Sequence, residues 1–124
     1  MKRNLLFFLS VIAGTITIMS LGCKTVVDPE LTTNGVSQIS QTTAVSGGNI
    51  TFDGNAKVTA RGVCCGKDNT PDLGDIVTSD GKGIGAFVSN ISGLTPNTTY
   101  YVRAYASNKQ GTGYGSPMIF KTLP

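Results

Sequence analysis

The sequence contains no histidine and no tryptophan, and only 14% of its 124 residues are charged. Without histidine, Ser-His-Asp and Cys-His nucleophilic sites and histidine-bearing zinc sites are excluded. A hydrolase with two catalytic aspartates would need a cleft and a carboxyl group with a raised pKa, which a small domain with short loops does not offer. We therefore predict a protein that is not an enzyme and that holds no cofactor and no metal.

The charge balance excludes nucleic acid as a partner. The formal net charge is +3, but two of the positive charges, Lys2 and Arg3, lie at the extreme N-terminus, and residues 23–124 carry a net charge of only +1. The remaining lysines and arginines do not cluster into a basic stripe of the kind that tracks a phosphate backbone.

The N-terminal segment has the pattern of a bacterial export signal. Lys2 and Arg3 precede an apolar run from Leu5 to Leu21, which is followed by Gly22 and Cys23. The run of about 17 residues is at the lower edge of the roughly 20 that span a bilayer, and it is interrupted by Ser, Gly and Thr. An ordinary cleaved signal and an uncleaved membrane anchor remain as alternatives.

The tetrapeptide Ser20-Leu21-Gly22-Cys23 resembles the lipobox of bacterial lipoproteins. That resemblance implies that Cys23 becomes the acylated N-terminus and holds the protein in a membrane, since several acyl chains together give stable anchoring. Lys24 stands where an inner-membrane retention signal would have aspartate, which favours the outer membrane, facing either the periplasm or the cell surface. The predicted division is a signal peptide at 1–22, the lipidated cysteine with a flexible tether at 23–35, and a folded domain at 36–124.

The folded part has the pattern of an all-β protein. Segments rich in Thr, Val, Ile and Tyr alternate with short turns rich in Gly, Asn, Asp and Ser, and seven short strands at such spacing favour an immunoglobulin-like sandwich. The predicted strands are Val36–Ser40, Thr42–Ile50, Val58–Cys65, Leu73–Thr78, Ile84–Ile91, Thr99–Asn108 and Gly115–Thr122.

The strongest alternation begins at Tyr100. Tyr100, Val102, Ala104 and Ala106 would share one face, which is apolar enough to pack against a second sheet. Just before this strand, Leu94 and Pro96 have the spacing of a tyrosine corner. In that arrangement Leu94 fills the core, Pro96 fixes the turn, and the Tyr100 hydroxyl bonds to the backbone a few residues upstream.

The run from Leu94 through Pro96, Tyr100 and Ala106 to Gly111 resembles the penultimate strand of fibronectin type III domains, and Gly115–Thr122 resembles their last strand. More narrowly, the chain is similar to the fibronectin type III-like modules of bacterial surface lipoproteins. The resemblance implies a seven-stranded sandwich that serves as a structural, adhesive or protein-interaction module, with an envelope or surface protein as its partner. It names no ligand, because this fold hosts many activities.

A row of aromatic side chains suggests an alternative function. Tyr101, Arg103 and Tyr105 project from one side of a strand, and Tyr114 opens the next. Such a row could stack on sugar rings or hold a peptide. The competing interpretation is that these side chains cover one another and finish an exposed β face.

Two adjacent cysteines, Cys64 and Cys65, lie at the end of a predicted strand. Because neighbouring side chains point to opposite faces, we expect Cys64 to pack inward with Val58 and Ala60 and Cys65 to lie outward. A vicinal disulfide would strain the peptide between them, and no Cys-x-x-Cys motif supports redox catalysis.

The segment Asp68–Asp75 holds three carboxylates within eight residues. Oxygen ligands at this density could form a weak calcium site, but the spacing is not that of an EF-hand. A solvated turn is the more ordinary interpretation.

Sandwich sheets also leave edges open. We expect Thr42–Ile50 and Gly115–Thr122 to be edge strands, the latter because it contains Pro117. The oligomeric state stays open.

Overall fold

The computed structural model describes residues 24–124; the predicted signal peptide and Cys23 lie outside the described residues. Residues 24–124 form eight strands and no helix, so this part of the chain has no helical segment able to cross a membrane. The strands are β1 (Glu30–Thr33), β2 (Ala44–Phe52), β3 (Ala60–Gly66), β4 (Ile76–Val77), β5 (Gly85–Ile91), β6 (Thr99–Ser107), β7 (Thr112–Tyr114) and β8 (Met118–Lys121).

The strands form two antiparallel sheets that pack face to face. The smaller sheet has the order β1-β2-β5, and the larger has the order β4-β3-β6-β7 with β8 also paired to β6. β7 pairs with the end of β6 and β8 with its beginning, so the two short strands occupy one edge that is interrupted at Gly115–Pro117. Seven predicted strands become eight because β1 and β7 lie outside the predicted strands and Val36–Ser40 forms no strand, while the predicted all-β sandwich is confirmed.

The first strand lies where the sequence predicts a tether. Glu30–Thr33 pairs with β2, whereas the predicted strand Val36–Ser40 makes only one isolated bridge, between Ser37 and Val45. The prediction of a flexible tether through residue 35 is therefore wrong for residues 30–33. The strand is held from the opposite sheet as well, because the Ala104 N–H donates to Thr33 Oγ1 at 2.9 Å.

The chain that leads into β1 is fixed by an asparagine. Asn108 donates through Nδ2 to the carbonyl oxygens of Val27 at 2.7 Å and Asp53 at 2.9 Å. The Val27 N–H in turn donates to the Gly54 carbonyl at 2.9 Å. The folded unit therefore begins at about Val27, before the first strand.

The core lies between the two sheets and is thin. The predicted inner face of β6 is confirmed, since Val102, Ala104 and Ala106 have no exposed surface and Tyr100 is almost fully buried. The sheets approach closely at Gly48, where an added Cβ would lie 2.6 Å from the Ala104 Cβ. Small residues at this contact set the distance between the sheets.

The tyrosine corner is present as predicted. The Thr95 N–H donates to the Tyr100 hydroxyl oxygen at 2.9 Å, and Leu94 is buried in the core. Thr122 completes the corner, since its hydroxyl donates to the Thr95 carbonyl at 2.6 Å and accepts from the Thr98 N–H at 2.9 Å. These bonds satisfy backbone groups that the turn would otherwise leave buried and unpaired.

Of the two predicted edges, one is confirmed. The segment Gly115–Thr122 contains β8, which pairs on one side only, with β6. Most of the segment Thr42–Ile50 lies in β2, which pairs with both β1 and β5 and is the central strand of its sheet. That part of the prediction is wrong because alternation within one strand carries no information about how many neighbours the strand has.

Candidate functional site

The predicted aromatic row lies on the outer face of the larger sheet. In the register of β3 and β6, Tyr101 stands opposite Gly66, Arg103 opposite Cys64, and Tyr105 opposite Gly62. Tyr105 also pairs with Tyr114 of β7. Because β3 presents only small residues on this face, the long side chains of β6 have room to lie across it.

The segment that follows β3 folds over this face. Arg103 Nε donates to the Pro71 carbonyl at 2.7 Å, and Pro71 itself is fully buried. The guanidinium carbon of Arg103 lies 3.9 Å from the centroid of the Tyr114 ring, at the distance of a strong cation–π contact. Arg103 thus links the 67–75 loop to the sheet. Its positive charge lies over the Tyr114 ring of the same chain.

Tyr105 also binds a segment of the chain that follows β3. Only 4% of its surface is exposed, and its hydroxyl donates to the Thr78 carbonyl at 2.6 Å. Burial raises the pKa of the Tyr105 hydroxyl above its ordinary value. The predicted exposed tyrosine face is therefore wrong at Tyr105, which is buried, whereas Tyr101 and Tyr114 are half-buried.

The two cysteines occupy places opposite to those predicted. Cys65 packs in the core with Val63, and Cys64 lies on the outer side of β3. The predicted alternation started from Val58, which is buried but precedes the strand, so the inward set shifted by one residue. Cys64 is nevertheless completely buried, because Arg103 and the loop above it exclude solvent.

Both thiols are free, and burial raises the pKa of each to about 12. Because the thiolate is the nucleophile and the metal ligand, such cysteines are unreactive at neutral pH. Cys64 and Cys65 therefore act as small apolar side chains.

The acidic segment Asp68–Asp75 uses two of its carboxylates to shape the loop. Asp72 Oδ1 accepts from the Gly74 N–H at 2.8 Å, and Asp75 Oδ2 accepts from the Asp72 N–H at 2.9 Å. Beside the loop lies an open cleft of about 440 Å³, lined in part by Lys67, Asp75 and Tyr100. Within residues 24–124 no three Cys, Asp or Glu side chains converge on a point where a metal ion could sit.

Known structures with a similar arrangement of strands identify the fold. The sensor domain of the anti-sigma factor RsgI4 from Pseudobacteroides cellulosolvens superposes with a TM-score of 0.55 at 22% identity, over 79% of this chain and 97% of that one. A fibronectin type III domain from the human KIAA0970 protein superposes with a TM-score of 0.51 at 14% identity, over 75% and 72%. This is a fibronectin type III-like fold. No protein-family model and no curated protein matches the sequence.

A fragment of titin, domains A168–A170, gives a TM-score of 0.55 at 22% identity over 80% of this chain and 33% of the titin chain. At these identities the likeness concerns the fold. This fold hosts many activities, so the likeness by itself assigns no role to this chain.

The smaller sheet of this fibronectin type III-like domain presents a surface that the sequence reasoning missed. Residues 31–52 and 83–102 contain no charged residue, and they supply nearly all of β1, β2 and β5. Val88 on β5 is 64% exposed. The signal was visible in the sequence as two long uncharged stretches, but only the topology brings them into one sheet.

Proposed function

We propose that this protein is a non-catalytic, lipid-anchored protein of the bacterial cell envelope, whose fibronectin type III-like domain acts as an interaction module. The observation that carries the proposal is the short distance along the chain between Cys23 and the folded unit, which begins at about Val27. A cysteine acylated at position 23 would hold the domain directly against the membrane surface. The outer membrane is the proposed location, with Lys24 as the residue that favours it.

The way the surface is built supports a macromolecular partner. The side chains that could have formed a small-molecule site, Arg103 and Tyr105, are bonded to the chain's own loop. Flat sheet faces and edges remain, and these are surfaces that other proteins recognise. Glycan binding would have to rely on the half-buried Tyr101 and Tyr114 alone, so we place it second.

The anchor is tested by expressing the full chain in a bacterium with an outer membrane and feeding the cells a palmitate analogue that carries an alkyne. We expect label on the full chain and no label on Cys23→Ala. Cys64→Ala is the matched control, because it removes a thiol that the fold buries, and it should remain labelled. Equal labelling of Cys23→Ala and the unaltered chain would overturn the lipid anchor.

Density-gradient separation of the same membranes tests the location. We expect the labelled protein in the outer-membrane fraction, and its recovery in the inner-membrane fraction would contradict that part of the proposal. Treatment of whole cells with a protease then distinguishes the surface from the periplasmic side.

The glycan alternative is tested by retention of the full chain on a panel of immobilised polysaccharides. We expect no saturable binding. Saturable binding that Tyr101→Ala abolishes while the β-sheet circular dichroism is unchanged would favour the glycan-binding function over the protein-interaction module.

A further inference from the structure

The proposed lipid anchor lies very close to the part of the chain that the domain holds in place. In the turn between β2 and β3, Asn55 Nδ2 donates to the Thr25 carbonyl at 3.0 Å. In the turn between β6 and β7, Asn108 Nδ2 donates to the Val27 carbonyl at 2.7 Å. Thr25 is the second residue after Cys23, so a span of at most about 7 Å joins their Cα atoms. The polar layer of a bilayer is about as deep, so acyl chains on Cys23 would bring both turns to the membrane surface.

A third segment lies at the same end of the sandwich, because the Gly83 N–H donates to the Val58 carbonyl at 3.0 Å, just after the turn between β2 and β3. Lys57 and Lys82 line an open cavity of about 300 Å³ there. The cavity is also lined by Ile84, 60% of whose surface is exposed. An exposed apolar side chain beside lysines suits the boundary of a membrane, where the apolar group contacts acyl chains and the amines contact lipid phosphates.

The charged side chains of this end do not oppose contact with phosphate. In the half of the domain near Cys23, five side chains are basic: Lys24, Lys57, Arg61, Lys82 and Lys109. Four are acidic: Asp28, Glu30, Asp53 and Asp80. In the other half three charges of each sign cancel, and they belong to Lys67, Arg103, Lys121, Asp68, Asp72 and Asp75. The net charge of +1 therefore remains near Cys23, where the four lysines are exposed and Asp53 and Asp80 are half-buried and accept hydrogen bonds within the chain.

We propose that this end of the domain lies on the membrane in which Cys23 is anchored, with Lys57 and Lys82 at the phosphates of anionic lipids and Ile84 in the layer below them. The tether selects this partner, because the turns that bind Thr25 and Val27 have to approach the lipid headgroups whenever the acyl chains of Cys23 are in the bilayer. The opposite end, with the acidic 67–75 loop, then points away from the membrane. This inference rests on the proposed lipid anchor and adds the surface that the anchor holds against the lipid.

The test compares lysines at the two ends of the domain. The full chain is purified in detergent from a bacterium with an outer membrane and inserted into preformed vesicles of phosphatidylcholine, with or without phosphatidylglycerol. A water-soluble reagent then acetylates exposed amines, and mass spectrometry measures the rate at each lysine. We expect phosphatidylglycerol to slow the reaction of Lys57 and Lys82 several-fold. Lys67 and Lys121 are the matched controls, since both are exposed at the far end, and their rates should not change.

A second measurement places the apolar side chain. A polarity-sensitive fluorophore is attached to Ile84→Cys or, as the matched control, to Ile119→Cys; Ile84 and Ile119 are 60% and 62% exposed. The buried thiols of Cys64 and Cys65 do not compete for the reagent. On vesicles the emission should shift to shorter wavelength for the probe at position 84 and stay unchanged for the probe at position 119.

Mass spectrometry of the same samples separates the orientation from the anchor. If Cys23 carries acyl chains but phosphatidylglycerol slows all four lysines equally, or the probe at position 84 shows no shift, the orientation is overturned and the lipid anchor stands. If Cys23 carries no acyl chain, the lipid anchor is overturned, and the orientation with it.

Discussion

The outer faces of the two sheets differ in whether another part of the chain covers them. On the larger sheet, the loop after β3 lies over β6, and Arg103 binds it through the Pro71 carbonyl and the Tyr114 ring. On the smaller sheet, Glu30 at the β1 edge is the one charged residue, and the other outward side chains are short, uncharged and open to solvent up to the edge at β5. The face on which the sequence places aromatic and charged side chains is thus covered by the chain itself, and the face that lacks them stays open to solvent.

The two faces share one core, so a cavity in that core should weaken both. Leu94→Ala removes a buried side chain at the tyrosine corner, and we expect it to lower the free energy of unfolding by about 2 to 5 kcal/mol. Urea unfolding followed by circular dichroism measures the loss. Leu123→Ala is the control, since Leu123 is 51% exposed and its truncation should cost less than about 0.5 kcal/mol. Equal losses for the two variants would contradict the position of the corner.

Opening the closed face requires the loss of Arg103. Arg103→Ala removes the hydrogen bond to Pro71 and the contact with Tyr114, and we expect a cost of about 1 to 3 kcal/mol. Limited trypsin digestion should then cleave faster after Lys67, in the released loop. Cleavage after Lys109, in the exposed turn between β6 and β7, should keep its rate. Arg103→Lys should lie in between, because lysine keeps the charge without the planar stacking.

High pH should weaken the fold through the thiols on either side of β3. Folding raises the pKa of Cys64 and Cys65 from 9.0 to about 12, so the unfolded chain loses these protons first. The free energy of unfolding should therefore be independent of these groups below pH 9 and should fall as the pH rises from 9 to about 12.

Urea unfolding at a series of pH values measures this slope, and the Cys64→Ala/Cys65→Ala double variant should show a shallower one. A residual slope belongs to Tyr105 and Tyr114, because burial also raises the pKa of each of these hydroxyls. An unchanged slope in the double variant would show that the thiols titrate alike in the folded and unfolded chain.

The smallest expected effect is a difference in the free energy of unfolding between variants of two tyrosines of the aromatic row, Tyr105 and Tyr101. Tyr105→Phe removes the hydroxyl that donates to the Thr78 carbonyl, and we expect a loss of about 1 kcal/mol. Tyr101→Phe, on the same strand and face, should leave the free energy of unfolding within about 0.5 kcal/mol of the unaltered chain. Chemical denaturation measures the free energy of unfolding of both variants. A larger loss for Tyr101→Phe than for Tyr105→Phe would contradict the conclusion that Tyr105 lies in the covered part of this face and Tyr101 in the open part.

The sequence predicts well where the relevant signal is local. Strict alternation from Tyr100 to Ala106 and the spacing of Leu94 and Tyr100 depend on a single strand and the turn before it, and both predictions are confirmed. The strand prediction fails at β1 and β7, which lie outside the predicted strands, and at Val36–Ser40, which forms only an isolated bridge.

The predictions that fail depend on contacts between distant segments. No local pattern in residues 67–75 shows that this acidic, turn-like segment packs on β6, and hence that Tyr105 and Cys64 are covered. Similarly, Glu30–Thr33 has little strand pattern of its own, and it becomes a strand through its pairing with β2, with Thr33 also accepting a hydrogen bond from the opposite sheet. A one-residue shift in β3 was enough to exchange the places of the two cysteines.

The asparagine at the entry of the chain has a mechanical consequence. Any tension applied from the N-terminal side reaches the hydrogen bonds of Val27 with Asn108 and Gly54 before it reaches β1. Asn108 is itself fixed, because its side-chain oxygen accepts from the Gln110 and Gly111 N–H groups at 2.8 and 3.2 Å. The force would therefore act first on the turn between β6 and β7 of the larger sheet. The hydrogen bonds of β1 would bear force only after those of Val27 had broken.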